Sequence, residues 1–449
     1  MSGISPDGES EMEENKVWRF VFAALIIGVL GAGSFSCNLF GPKHSSNGDL
    51  TLEDVACVKT WLKISFGAAG GDYELKRDGS VVLTGSYAGD TVVVDTTVEP
   101  SRSYTYEAEL ISDGKVIQTS SPLEVTTLDT TSSDYTFRTW EIGGIVPGSY
   151  LNDVTIINDT DIWAVGEINI KDSSGAYGAI HWNGRTWTLE RVPYYYKGQT
   201  YYSPIYSILA FGPADIWFGI GNMVNWTSGK FTPIEVGSSF SGLIRAMWGT
   251  SDTDFYIVSA NGSIALHSNT GATWRSLSSG TTLPIQDVYG NKKGGVYCIA
   301  SNTLQVVGTK VLEIRGSSVS EVTNAGLPWS MSSVWVAPNS ATVYAAGDGI
   351  FVYRPYMEGK GWKNITGGIT SYYSNKIRGE GLNDMVICGA SCDLAHFNGV
   401  RWKDYLGEGV PEVDGNLYGL AMKGNTICAV GSAVTAGGVS ALIVLGKTN

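Results

Sequence analysis

Asp161-Ile162-Trp163-Ala164-Val165-Gly166, followed after a short spacer by Ile180-His181-Trp182-Asn183-Gly184-Arg185-Thr186-Trp187, is the stretch that decides how the rest of the chain reads. Its first half returns as DIWFGIG (215–221), DFYIVSA (254–260), GVYCIAS (295–301), TVYAAGD (342–348), MVICGAS (385–391) and TICAVGS (426–432). An apolar-alternating segment precedes each copy: LNDVTI (151–156), YSILAF (206–211), IRAMWG (244–249), IQDVYG (285–290), MSSVWV (331–336), NKIRGE (375–380) and NLYGLAM (416–422). A third strand follows each copy, and usually a fourth. The fourth often starts at an aromatic: Trp187, Phe231, Trp274, Trp362 or Trp402, with Val319 in that place in the fourth unit. Alternation over five to eight residues is the signature of a strand, and recurrence at a fixed period is the signature of a repeat architecture.

Four short antiparallel strands per repeat describe one blade of a β-propeller. One blade cannot bury both of its faces, so neighbours must stack and the ring must close. The seventh unit ends after its third strand, ALIVLG (441–446), without a Trp strand. The segment YTFRTWEIGG (135–144) supplies one, because Arg138-Thr139-Trp140 matches Arg185-Thr186-Trp187. The expectation is an all-β chain: a small β-sandwich followed by a seven-bladed β-propeller over 135–449, closed by its own N-terminal strand.

Composition agrees. Charged residues make up only 16% of the chain, too few for long solvated helical faces, while 57 glycines suit many tight turns. The net charge of −13 leaves no basic stripe, which excludes nucleic acid as a partner. Six cysteines (37, 57, 298, 388, 392 and 428) form no CxxC pair. Three of them, Cys298, Cys388 and Cys428, fall in equivalent strands of the repeat and read as small buried apolar residues.

Residues 51–130 alternate as short strands. YELKRDGSVVLTG (73–85) reads as a hairpin turning at Asp78-Gly79. Val98-Glu99-Pro100-Ser101-Arg102-Ser103-Tyr104-Thr105-Tyr106 resembles the fibronectin type III signature, in which a Pro starts a turn and a Tyr anchors the sandwich corner. The resemblance implies a spacer or a protein-contact platform. Lys16 and Arg19 precede the apolar run Phe20–Gly33, which leads into Ser34-Phe35-Ser36-Cys37. That arrangement resembles a bacterial lipoprotein signal peptide. It implies a signal over 1–36, acylation of Cys37 and a lipid-attached linker over 37–50. The Leu usual three residues before the Cys is Ser34 here. No charge intervenes between Arg19 and Lys43, so a retained signal anchor stands as the alternative. Either reading places the protein in the cell envelope, exported and membrane-anchored.

Thr270-Gly271-Ala272-Thr273-Trp274 resembles the Asp-box of sialidase-like propellers, with His267 and Asn269 replacing the box Ser and Asp. In that family the box is a structural turn. HWNGRTW (181–187) and HFNGVRW (396–402) turn through Asn-Gly instead, and the kinship is with Asp-box and kelch-like propellers in general.

Catalytic patterns give nothing. His181, His267 and His396 all end third strands in separated blades, too far apart to share a metal about 2 Å from each. The triplets Asp159-Thr160-Asp161 and Asp252-Thr253-Asp254 sit at turns. No HExxH, GxSxG or GxGxxG occurs, and no cofactor is implied. Arg245 and Arg378 lie on innermost strands, where pairing with carboxylates is the expectation. The tyrosine-rich segment 194–202 is the strongest candidate site. Tyr194, Tyr195, Tyr196, Tyr201 and Tyr202 share one propeller face with Tyr150, Tyr372 and Tyr373, and present rigid amphipathic rings to a protein or carbohydrate ligand. The expected function is non-enzymatic recognition or scaffolding. The alternative is a carbohydrate-active hydrolase, sialidase-like or another glycosidase, working at the channel mouth.

Overall fold

Strands such as Asp161–Ile168 are apolar at almost every position, because both of their faces are covered. Ile162 and Ala164 point to one side, while Trp163 and Val165 point to the other. The computed structural model describes residues 48–448, apart from 69, 269–272, 304 and 358. Cys37, the signal segment and most of the Asp-box-like turn lie outside the described residues.

Residues 136–447 form seven four-stranded antiparallel sheets among the described residues. Sheet 1 runs Tyr150–Asn158, Asp161–Ile168, Tyr177–Trp182 and Trp187–Glu190. The first strands of sheets 2 to 6 are Ser207–Gly212, Ile244–Ser251, Ile285–Asn291, Met331–Val336 and Ser374–Gly381. Sheet 7 takes three strands from Gly415–Lys423, Thr426–Thr435 and Gly438–Lys447. Its outer strand is Thr136–Gly143, paired along its whole length with Ser440–Lys447.

Each first strand lies beside the first strand of the next sheet, and that of sheet 7 lies beside that of sheet 1. A buried apolar cluster fills each interval between consecutive sheets. Between sheets 7 and 1 it is built from Cys428, Val430, Ile443, Leu151 and Ile162, with Trp140 and Trp187 against them. Cys298, Cys388 and Cys392 occupy equivalent clusters, where burial pushes their thiols up. The arrangement is propeller-like: repeated sheets stacked side by side, first strands innermost.

Residues 48–126 make two further sheets around one core of Leu62, Ile64, Leu75, Tyr106, Ala108 and Leu110. One sheet joins Gly48–Val55, Thr60–Phe66 and Thr91–Asp95, and the other contains Gly71–Arg77, Ser80–Tyr87, Ser103–Ser112, Lys115–Thr119 and Leu123–Thr126. Asp78 and Gly79 both have positive φ, 52° and 79°, which is the two-residue hairpin turn their sequence calls for. Tyr104 accepts a hydrogen bond from the Glu99 amide at 3.0 Å, and the Tyr106 hydroxyl donates to Asp95 at 2.9 Å. The first strand starts at Gly48, inside the stretch read from sequence as linker. Its alternation, Leu50 inward between exposed Asp49 and Thr51, is too short to stand out beside the polar run before it.

Candidate functional site

Six of the seven first strands carry a register shift near their start. Such a bulge re-aims one side chain without breaking the strand. The re-aimed residues are Asn152, Arg245, Gln286, Ser332, Asn375 and Tyr418, and all six line a central cavity of about 510 Å³. Tyr206, just ahead of sheet 2, completes the set, so every sheet contributes. Asn152 donates to the Ile205 carbonyl just ahead of sheet 2 and Asn375 to the Leu417 carbonyl of sheet 7, both at 2.8 Å. Arg245 is exposed on the wall and makes no ion pair among the described residues. Among the described residues, Arg245 and Lys376 are the lining's cations and no carboxylate belongs to it, in a chain of net charge −13.

The floor of this cavity is a buried ion cluster. Asp287 is fully buried and receives Arg378 through two bonds of 3.0 and 2.9 Å, Lys376 at 3.1 Å, the Ser333 hydroxyl at 2.6 Å and the Val334 amide at 3.2 Å. Burial alone would raise this carboxyl. Arg378 and Lys376 more than offset it and hold it down at about 2. Lys376 opens toward the central cavity, while Arg378 lines a smaller one of about 250 Å³ on the far side and lies 4.9 Å over the Tyr289 ring. Asp153 occupies the matching place in sheet 1 with only the Val154 and Ile208 amides as donors, and there burial wins and pushes its carboxyl up.

The sequence-derived tyrosines divide. Tyr194–Tyr196 and Gln199–Tyr201 form a two-stranded hairpin, turning through Lys197 and Gly198 at φ 48° and 79°. Tyr194 stacks on Tyr201 at 5.7 Å and donates its hydroxyl to the Ser203 carbonyl at 2.8 Å. Tyr194, Tyr195 and Tyr196 line a second cavity of about 510 Å³ with Pro204, Tyr206 and Leu243. Tyr206 lines both cavities, so the two adjoin. Tyr150 and Tyr373 line the central cavity; burial and Glu167 push the Tyr150 phenol up to about 12. Tyr201, Tyr202 and Tyr372 line neither. Tyr202 lies under Arg191 at 5.6 Å, and Tyr372 is exposed. Sequence reasoning missed Asn152, Gln286 and Tyr418, whose roles depend on the bulges, and Tyr206, which lies ahead of its strand where the two cavities adjoin. A bulge leaves no mark in a chain read without its partner strand.

Strands alternate in direction, so the segments joining consecutive sheets and the turns between second and third strands emerge together at the cavity mouth. The joining segments expose Val146, Tyr195, Tyr196, Leu243, Trp329 and Tyr372 on this face. The second-to-third turns add Val306, Val307 and Val434. On the opposite face Val400 is the exposed large apolar side chain among the described residues of the seven sheets. Exposed large apolar side chains of the seven sheets are thus concentrated at the cavity mouth among the described residues.

The histidines serve the sheets that carry them. His181 pairs with Asp161 at 2.9 Å and stacks on Trp163 at 4.3 Å, and His267 donates to the Asp252 carbonyl at 2.9 Å. His396 lies between Asp384 at 2.7 Å and the Ser133 hydroxyl at 3.1 Å. That trio has the residue types of a hydrolase triad. However, His396 is fully buried, Ser133 is buried too, and neither lines a cavity that could admit a substrate. Among the described residues no group of three His, Cys, Asp or Glu could hold a metal.

Repeated four-stranded sheets with their first strands around a cavity define the β-propeller class of fold. Solved structures share it. A structure described as YCF48 bound to D1 peptide aligns at a TM-score of 0.53 with 14% identity, over 72% of this chain and 100% of that one. The WD40 β-propeller domain of Doa1 aligns at 0.51 with 13% identity, over 71% and 98%. YCF48 from Cyanidioschyzon merolae aligns at 0.48 with 14% identity, over 69% and 98%. At these identities the likeness is one of fold. No protein-family model and no curated protein matches the sequence.

Proposed function

We propose that this protein is a non-enzymatic recognition or scaffold propeller of the cell envelope, which takes a polypeptide ligand on its cavity-mouth face. The carrying observation is the concentration of exposed apolar and aromatic side chains of the seven sheets on that face, around two adjoining cavities. In this reading the seven sheets close as seven blades, with Thr136–Gly143 as the last strand. Residues 51–130 are a fibronectin type III-like sandwich, and the segment before them is a lipoprotein signal with Cys37 as the acylated residue, or else a retained anchor. A polypeptide is favoured over a glycan because YCF48, which shares the fold, is described as bound to a peptide. Glycoside hydrolysis is disfavoured because it needs two carboxylates across the site, and the described lining of the central cavity has none.

Tyr195 and Tyr196 are 64% and 56% exposed, so removing both rings should leave the melting temperature nearly unchanged. As binding anchors each is worth about 2 kcal/mol, roughly 30-fold in affinity. Tyr195→Ala with Tyr196→Ala should therefore abolish ligand capture from envelope extracts while the fold persists. A drop in melting temperature with capture intact would make them packing residues and remove them from the site.

A further inference from the structure

The two-sheet module at residues 48–126 meets the seven sheets on one side only. Among the described residues, hydrogen bonds and ring contacts to them come from residues 53–61 and from the connector 129–135. Asp54, almost wholly buried, accepts from the hydroxyls of Ser340, Thr342 at 2.8 Å and Tyr356 at 3.2 Å. Lys293 donates to the Glu53 carbonyl at 2.7 Å, and the Arg354 guanidinium lies 4.5 Å over Trp61. The connector forms a second strut: Asn383 donates to the Asp129 carbonyl at 2.8 Å, and Thr131 donates to the Asn383 carbonyl at 2.9 Å. The partners Lys293, Ser340, Thr342 and Asn383 sit in or beside turns between first and second strands. Those turns emerge on the face opposite the cavity mouth.

The chain enters this module at Gly48, which pairs with Phe66 at the end of the hairpin farthest from Asp54. Seven residue rises along Gly48–Val55 and eight along Tyr150–Asn158 would place the mouth face roughly 50 Å from Gly48 if the two strands run end to end. The eleven residue steps from Cys37 to Gly48 can span at most about 40 Å when fully extended.

We propose that the Asp54 contacts and the connector lock the module and the seven sheets into one rigid body, in which the module is a stand that points the mouth face away from Gly48. Resting on the anchored reading above, and with those strands end to end, the partner of the mouth face is a polypeptide beyond the anchoring bilayer, which the mouth face is too far from Gly48 to touch. The lock has the chemistry of a specific joint. A buried carboxylate with three hydroxyl donors is satisfied only in one docking, and a displaced module would leave it desolvated without them.

Spin labels test this on the full chain with Cys37→Ser, at Ala88→Cys near the module's far end and at Tyr195→Cys on the mouth face. The native cysteines 57, 298, 388, 392 and 428 are buried and protected. Dipolar spectroscopy should give one narrow distance distribution centred roughly at 50 Å. Asp54→Asn should broaden it. If that variant does not fold, Trp61→Ala, which removes the ring under Arg354, should broaden it instead. A broad distribution without either change, or a mean below about 30 Å, overturns the rigid stand. Separately, the Tyr195→Cys label on the lipid-modified chain in phosphatidylethanolamine–phosphatidylglycerol vesicles should stay accessible to an aqueous relaxation agent. A label immersed in lipid overturns the choice of partner. Flotation of the unlabelled chain reports on the anchor alone: a chain that stays at the bottom removes the anchored reading and leaves the measured distance standing.

Discussion

Replacing Asp287 by Ala should be among the most damaging single changes in the molecule. It leaves the Arg378 guanidinium and the Lys376 ammonium side by side, 15% and 10% exposed, without their shared counter-ion. It also strands the Ser333 hydroxyl and the Val334 amide. Removing one partner of a buried ion pair costs about 3 to 5 kcal/mol. The effect has a pH signature. The folded carboxyl titrates at about 2, against about 3.9 in an unfolded chain. A depressed carboxyl contributes its stability in full above the unfolded value and loses it as pH falls through the folded one. About two units correspond to roughly 2 to 3 kcal/mol lost between pH 4 and pH 2. Asp153, raised instead, works in the opposite direction, so the Asp287 contribution is read as the difference between wild type and variant. Urea unfolding at pH 7 and at steps from pH 5 to pH 2 measures both quantities. A cost under about 1 kcal/mol at pH 7, with acid profiles that stay parallel down to pH 2, would refute the sealed ion cluster at the centre of the sheets.

Two further outcomes follow from the strand order and the N-terminus. Deleting residues 136–143 strips Trp140 and Ile142 from the core between sheets 7 and 1 and leaves Gly438–Lys447 as an open edge. Calorimetry should then show loss of the cooperative transition, or sedimentation should show aggregation; melting identical to the intact chain would contradict closure. Cys37→Ala should abolish lipid labelling and leave the precursor unprocessed, since stable anchoring depends on acyl chains contributing about 0.8 kcal/mol per buried CH₂. Unlabelled wild type that stays in the membrane would select the retained anchor instead.

What could be read from the chain depended on how local its cause was. The second strands, from DIWAVG to TICAVG, are legible because burial on both faces makes them apolar throughout. Pairing of Thr136–Gly143 with Ser440–Lys447 spans the whole domain, yet it was legible from the match of Arg138-Thr139-Trp140 to Arg185-Thr186-Trp187. Trp362 shows the limit of that aromatic rule, since the fourth strand of sheet 5 is only Lys363–Asn364 and begins just after it. Arg378 pairs with a carboxylate as its place on an innermost strand suggested, whereas Arg245 at a bulge does not. Arg245 is itself the bulged residue, equivalent to Asn375, and faces the cavity wall, whereas Arg378 lies three residues beyond the bulge of its strand and reaches the ion cluster. Tyr206 escaped notice because its place where two cavities adjoin arises from the neighbouring hairpin and from Leu243 of the next joining segment, neither near it in pattern.

The claim that the mouth face is the recognition surface can be tested by photo-crosslinking in intact envelopes. A benzophenone amino acid is placed singly at Tyr195, Val306 and Trp329 on the mouth face and at Val400 on the opposite face, all four being exposed. The three mouth-face positions should crosslink to one common polypeptide, and Val400 should not. Crosslinks to that polypeptide from Val400, with the three mouth-face positions silent, would contradict it.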